Sequence, residues 1–128
     1  MPELVTILRD EFHTEYVGHT GEGFQFFITG LHNFLALFLF NDAGDLVEAQ
    51  VDRLTEDNDY ESLVQQRLDQ VKPVEFDFIE IKPFAVEHYG IMMGLIPNKH
   101  DGGEWWVELY PGNHLAFHEP WDTGEYST

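Results

Sequence analysis

The segment Phe34–Phe40 (Phe-Leu-Ala-Leu-Phe-Leu-Phe) is the longest uninterrupted apolar run in the chain, seven residues bounded by Asn33 and Asn41. A strand with one face in water alternates apolar and polar positions, and this one does not. It reads as a central strand covered on both faces. The fold must therefore supply a cover for its second face, either a helix or a second copy of the chain. Seven residues fall far short of the roughly 20 that cross a bilayer, and the sequence opens without a basic then apolar leader, so a soluble, cytoplasmic protein is expected.

The flanking residues give this strand its neighbours. Asn41-Asp42-Ala43-Gly44-Asp45 has the composition of a three-residue hairpin loop, a type I turn closed by a residue in the left-handed region, which Gly44 can enter. Residues 46–54 then alternate, with Val47, Ala49 and Val51 on one side and Glu48, Gln50 and Asp52 on the other, as in a half-exposed strand. Upstream, residues 24–29 are aromatic and β-branched, and residues 30–33 are turn-like.

Two helices are expected. Leu4, Ile7, Leu8 and Phe12 fall at helical spacing within residues 2–13, with Pro2 and Glu3 in the first turn. Tyr60, Leu63, Val64, Leu68 and Val71 repeat at the same spacing after a capping box from Asn58 to Glu61, and the pattern stops near Lys72, before Pro73. Residues 13–23 read as a loop, because Gly18, Gly21 and Gly23 make helix costly.

Val74, Phe76 and Phe78 alternate, but Ile79 and Ile81 continue on the opposite parity, which predicts a bulge or a change of face. His88-Tyr89-Gly90 is turn-like, residues 91–96 form another strand, and residues 104–110 pair with 113–118 through a Pro111-Gly112 turn. The final ten residues show no periodicity and are expected to lie across the surface, tied down by Trp121. These elements predict one domain over residues 1–128 of the α+β class. Its core would be a single, predominantly antiparallel sheet of about six or seven strands, with two helices packed on one face.

Charge narrows the function. Six Lys and Arg stand against 24 Asp and Glu, a net charge of −18. Binding to phosphate backbones depends on basic side chains releasing counterions, so direct nucleic-acid binding and anionic membranes are disfavoured. With no cysteine, disulfide scaffolds, thiolate zinc sites, iron–sulfur clusters and cysteine nucleophiles are excluded.

No catalytic, cofactor or metal assignment emerges. Asp122-Thr123-Gly124 has the letters of an aspartic-protease loop, but only four residues follow it, too few for the strands that hold such a loop. His13, Glu15 and His19 are the best-spaced candidate ligands, yet they match no established metal pattern. His114 and His118, on a strand, would stand roughly 13 Å apart, too far to chelate one ion. Gly18, Gly21 and Gly23 do not follow the order of a dinucleotide fingerprint, and neither Ser62 nor Ser127 sits in a nucleophile elbow.

The reading preferred is a non-enzymatic protein-interaction module, comparable in kind to immunity proteins and nuclease inhibitors, that binds a basic or apolar protein. Glu56, Asp57, Asp59 and Glu61 are its candidate steering residues, with Glu75, Asp77 and Glu80 as a second acidic group. Trp105 and Trp106 must face opposite sides of a strand, and an outward Trp near Tyr110, Trp121 and Tyr126 would make an aromatic anchor. One alternative is an enzyme or small-molecule binder with a pocket between sheet and helices, lined by Phe, Met92 and Met93 with His or Glu at its mouth. Another is a homodimer in which a twin covers the doubly apolar strand.

Overall fold

The computed structural model describes residues 4–9, 14–99, 101–111, 115–117 and 124–126. Strand accounts for 55% of the chain and helix for 11%, so the protein is mostly β, not α+β. In chain order the elements are β1 (Val5–Ile7), β2 (Tyr16–Thr20), β3 (Gln25–Leu31), β4 (Phe34–Phe40), β5 (Leu46–Arg53), α1 (Tyr60–Val71), β6 (Val74–Phe76) and β7 (Ile79–Ile81). They continue with β8 (Phe84–His88), β9 (Ile91–Lys99), β10 (Trp105–Tyr110), β11 (Leu115–Phe117) and β12 (Gly124–Tyr126). In place of the expected single sheet there are, among the described residues, three: β5-β4-β3-β2-β6, the meander β12-β11-β10-β9-β8, and the ribbon β1-β7, with every pairing described antiparallel.

The apolar run is β4, and it is central as its composition demands, pairing β3 along one edge and β5 along the other. Its faces have different covers. Phe34, Ala36, Phe38 and Phe40 turn inward with Val17, Phe27 and Leu31 to meet Met93, Leu95, Val107, Leu109 and Phe117 of the meander sheet. Leu35 and Leu37 turn the other way with Phe26 and Ile28, and there they meet Leu63 and Val64 of α1. Sheet on sheet and helix on sheet thus bury both sides within one chain, at about 1.5–3 kcal/mol for each fully buried large apolar side chain. β4 needs no second copy to cover it.

The helix forms where predicted, with a different cap. Asp59 is the N-cap, its Oδ1 accepting from the Ser62 N–H at 2.9 Å, while Asn58 closes a turn with Thr55. The helix stops at Pro73, which cannot supply the next N–H. It is also a crossover. β5 and β6 lie at opposite edges of the same sheet and, through four antiparallel steps, run in the same direction. α1 carries the chain between them over the sheet face and is tied to β5 by Arg67, whose Nη2 lies 2.8 Å from Asp52 Oδ2. β6 lies close against β2: a Cβ on Gly18 would stand 2.0 Å from the Glu75 carbonyl oxygen, so only glycine fits there.

Among the described residues of the first predicted helix, residues 4–9, a strand stands in its place. Val5 and Ile7 are fully buried while Leu4 and Leu8 are exposed, the two-residue period of a strand, and β1 pairs with β7. The expected loop over residues 13–23 contains β2, and the expected surface tail contains β12, paired to β11. The parity change after Phe78 is a change of sheet: β6 ends the first sheet, and β7 leaves it to pair with β1. Gln25 secures β7 in its new place. Its side chain is buried, its Oε1 accepts from the Glu80 N–H at 2.7 Å, and its Nε2 donates to the carbonyls of Glu80 at 2.8 Å and Asn41 at 3.0 Å. The Asn41–Asp45 hairpin holds, with Gly44 at φ 90°, as does the Tyr89-Gly90 turn at φ 55° and 74°; β10 pairs with β11 as expected, while Gly112 of the Pro111-Gly112 turn lies outside the described residues.

Candidate functional site

The acidic group selected from the sequence lies on the helix side of the molecule. Glu56 and Asp57 occupy the turn before α1, Asp59 caps the helix, and Glu61 stands in its first turn, where the positive end of the helix dipole favours a carboxylate. All four are exposed. The structure adds an aromatic component that the sequence did not disclose. Tyr60 lies over Gly30 of β3, where a Cβ would come within 3.2 Å of its ring. Beside it, Tyr16 of β2 packs edge-on against Phe76 of β6 at 6.4 Å between ring centres. Tyr60 and Phe76 remain 40% and 41% exposed, enough to act as anchors.

These groups share one electrostatic environment. Burial raises the Tyr16 pKa, and the negative charges of Glu15 and Glu61 add to the effect. Tyr60 is likewise raised, by burial first and then by Tyr16 and Glu15. Arg9 stands over the Phe76 ring at 5.1 Å, and its Nε donates to the Glu15 carbonyl at 3.1 Å. The patch is therefore a set of aromatic rings rimmed by carboxylates, with one cation already committed to a ring.

The other five cations are also engaged. Arg67 pairs with Asp52 at 2.8 Å, Lys82 with Asp45 at 2.7 Å and Lys72 with Asp69 at 3.5 Å. Arg53 stands over the Phe34 and Tyr89 rings at 5.6 and 5.4 Å, and Lys99 over Trp105 at 5.6 Å. The exposed pairs of Lys72 and Lys82 add little stability. Their consequence is for the surface, where the remaining carboxylates set the sign of the field.

Asp45 and Asp59 titrate below the ordinary aspartate value of 3.8. Hydrogen bonds from Lys82 and then Asn41 lower Asp45, and the Ser62 N–H lowers Asp59. A carboxylate depressed in the folded state stabilises above its unfolded value, and that contribution fades as pH falls through the folded value. The gap in urea midpoint between the natural chain and Asp59→Ala should thus be full near neutral pH and shrink below about pH 4. A gap that stays constant into strong acid would show that capping by the carboxylate is not its cause.

The aromatic residues selected from the sequence do not join this patch. In β10, Val107 and Leu109 point into the core, so Trp106, Glu108 and Tyr110 face outward from the meander sheet, on the side of the molecule away from α1. The Trp106 Nε1–H donates to Glu108 Oε1, and the Tyr110 hydroxyl donates to Asn98 Oδ1 at 3.5 Å. Trp105 shares the parity of the core residues and is half-buried under Lys99. The two tryptophans do point opposite ways, but neither is fully buried. Trp121, His13, His114, His118, Asp122 and Thr123 lie outside the described residues, as does the Tyr126 side chain.

Met92 and Met93, expected together at a pocket, face opposite ways: Met93 is buried in the core and Met92 is 54% exposed on the outer face of β9. A cavity of about 580 Å³ lies elsewhere, between the C-terminal end of α1 and the outer face of the first sheet. A smaller one, about 260 Å³, is bordered by His19, Asp42 and Glu80. There the His19 Nε2–H donates to the Phe78 carbonyl at 2.9 Å, which gives that imidazole a structural partner. Among the described residues, no group of three or more His, Asp or Glu side chains is placed to hold a metal ion, and no helix is long and apolar enough to cross a membrane.

Comparison with protein-family models, with curated proteins and with solved structures gives no match.

Proposed function

We propose that this chain is a non-enzymatic protein-interaction module, immunity- or inhibitor-like in kind, and that it binds a basic protein partner through the acidic and aromatic patch at the start of α1. The observation that carries the reading is the clustering of Tyr60, Phe76 and Tyr16 with Glu61, Glu15 and the capping turn on a surface whose cations are all engaged. Aromatic anchors supply binding energy when a partner excludes water from them, and carboxylates at the rim speed encounter with a cationic surface. Glu56 and Asp57 steer, while Tyr60 and Phe76 hold.

The test separates rate from residence. A partner retained stoichiometrically from source lysate and released by salt is taken into surface plasmon resonance. The Glu56→Gln/Asp57→Asn/Glu61→Gln variant should associate several-fold more slowly at low salt, with little change in dissociation. Tyr60→Ala should leave association nearly unchanged and accelerate dissociation by about tenfold or more. Natural rates in both variants would remove the patch as the binding surface.

A further inference from the structure

The cavity at the far end of α1 exists because the sheet outlasts the helix. Leu63 and Val64 cover Leu35 and Leu37, but Leu39, two residues further along the same face of β4, is only half-buried, as are Phe24 and Val71 beside it. A β-bulge completes the wall. Leu39 pairs with Glu48 and Phe40 with Leu46, so Val47 is the extra residue, and it borders the cavity 51% exposed. The result is an apolar floor under an open space of about 580 Å³, within the range of small-ligand sites.

The rim is negative for two independent reasons. Glu22, from the turn between β2 and β3, and Glu48, from β5, both border the opening. Above them the C-terminal end of the helix adds its negative pole, with Lys72 at the cap. No basic residue lies in the last turn, the Lys72 N–H reaches only the Leu68 carbonyl, and Pro73 has no N–H to offer the carbonyls that follow. Lys72 is the one cation at the rim, and its amine is paired with Asp69.

We propose that this cavity binds a small organic cation, a primary ammonium group carried on a short apolar chain, with the chain on Leu39, Phe24 and Val71 and the nitrogen between Glu22, Glu48 and the end of α1. The site is separate from the partner-binding patch at the opposite end of the helix and stands without it.

The probe is hexylammonium, titrated into the full chain and followed by amide chemical shifts, with hexanol and hexanoate as isosteric controls. Saturable shifts are expected at Thr20, Glu22, Leu39, Val47 and Gln70. Hexanol should bind about tenfold more weakly or worse, and hexanoate should not bind. Glu22→Gln/Glu48→Gln should weaken hexylammonium by about tenfold, whereas Glu56→Gln/Asp57→Asn should not affect it, and the same spectra report that each variant is folded. Equal binding of hexanol would overturn the proposal by showing an apolar hollow with no preference for charge. Unsaturable shifts spread over the acidic surface would overturn it equally, as condensation of a counterion on a chain of charge −18.

Discussion

Replacing Gly94 with alanine is expected to cost about 3 kcal/mol of stability, read as a fall in urea midpoint at unchanged slope. Gly94 lies in β9, between β8 and β10, opposite Ala85 and Tyr110. Its φ of 142° is one that residues with a side chain rarely adopt, and an added Cβ would lie 2.2 Å from the Phe84 carbonyl oxygen. The obstacle is backbone, so no rotamer change relieves it. Either β9 or β8 must shift, and a shift of β8 moves Phe84, whose ring sits edge-on to Phe38 at 4.7 Å and Phe40 at 5.2 Å between centres. Strain and lost packing therefore add. A change within about 0.5 kcal/mol, as at an ordinary surface site, would mean that β8 does not approach β9 as closely as described.

Gln25→Leu should cost a similar amount, about 3 kcal/mol, for a different reason. Leucine nearly conserves the volume and is more apolar, so burial alone favours it. It cannot replace the pair of hydrogen bonds by which the Gln25 amide behaves like one more strand for Glu80, and each buried backbone group left unpaired costs about 1–3 kcal/mol. Gln25→Glu should be at least as harmful. A carboxylate can still accept from the Glu80 N–H, but it presents an acceptor where the Glu80 and Asn41 carbonyls need a donor, and it buries a charge. Hydrogen exchange locates the damage. Protection should fall first at the Glu80 amide, which bonds Gln25 itself, and at the amides of Val5, Ile7, Ile79 and Ile81 that face each other across the β1–β7 ribbon, and uniform loss across both five-stranded sheets would count against the anchoring role.

The parts of the fold legible in the sequence are those fixed by neighbours along the chain. The unbroken run of β4 required covers on two sides, the Asn41–Asp45 loop required an antiparallel partner with Gly44 in the left-handed region, and the Tyr60–Val71 spacing required a helix ending at Pro73. What failed was set by distant contacts. Over residues 4–8, Leu-Val-Thr-Ile-Leu satisfies a helical and a strand period at once, and only pairing with Ile79 and Ile81 decides that Val5 and Ile7 are the inward residues. The parity change at residues 78–79 was visible, but alternation says which face a side chain takes and not which sheet its strand has joined. Alternation alone therefore predicts one sheet where the described residues form three.

The candidate site divides in the same way. The acids of the capping turn could be chosen from their spacing, because charge density is local. Spacing places Tyr60 only on the helix stripe, and the grouping with Tyr16 and Phe76 needs β2 and β6 to be adjacent, a pairing made across more than fifty residues. Alternation says that one of Trp105 and Trp106 faces outward but not which, and a sequence cannot say that the outward face of Trp106 and Tyr110 and the acids lie on opposite sides of the molecule. The cavity at the end of α1 left a faint signal in Val47, an apolar residue flanking a bulge that only the register between β4 and β5 exposes.

The crossover helix has a consequence for how the chain avoids its own kind. Before α1 docks, nothing holds Val74–Phe76 beside β2, because closing so long a loop for three residues of pairing is unfavourable by itself. In that interval β2 is the bare edge of a four-stranded sheet, with Phe26, Ile28, Leu35 and Leu37 uncovered on its outer face, a template on which another chain can add a strand. Docking of α1 removes both hazards at once, hiding the face and delivering the short strand that seals the edge. Mutual repulsion between chains of like charge keeps them apart while this happens, so aggregation during refolding should be most severe near the isoelectric point of about 4.4, where that protection is lost.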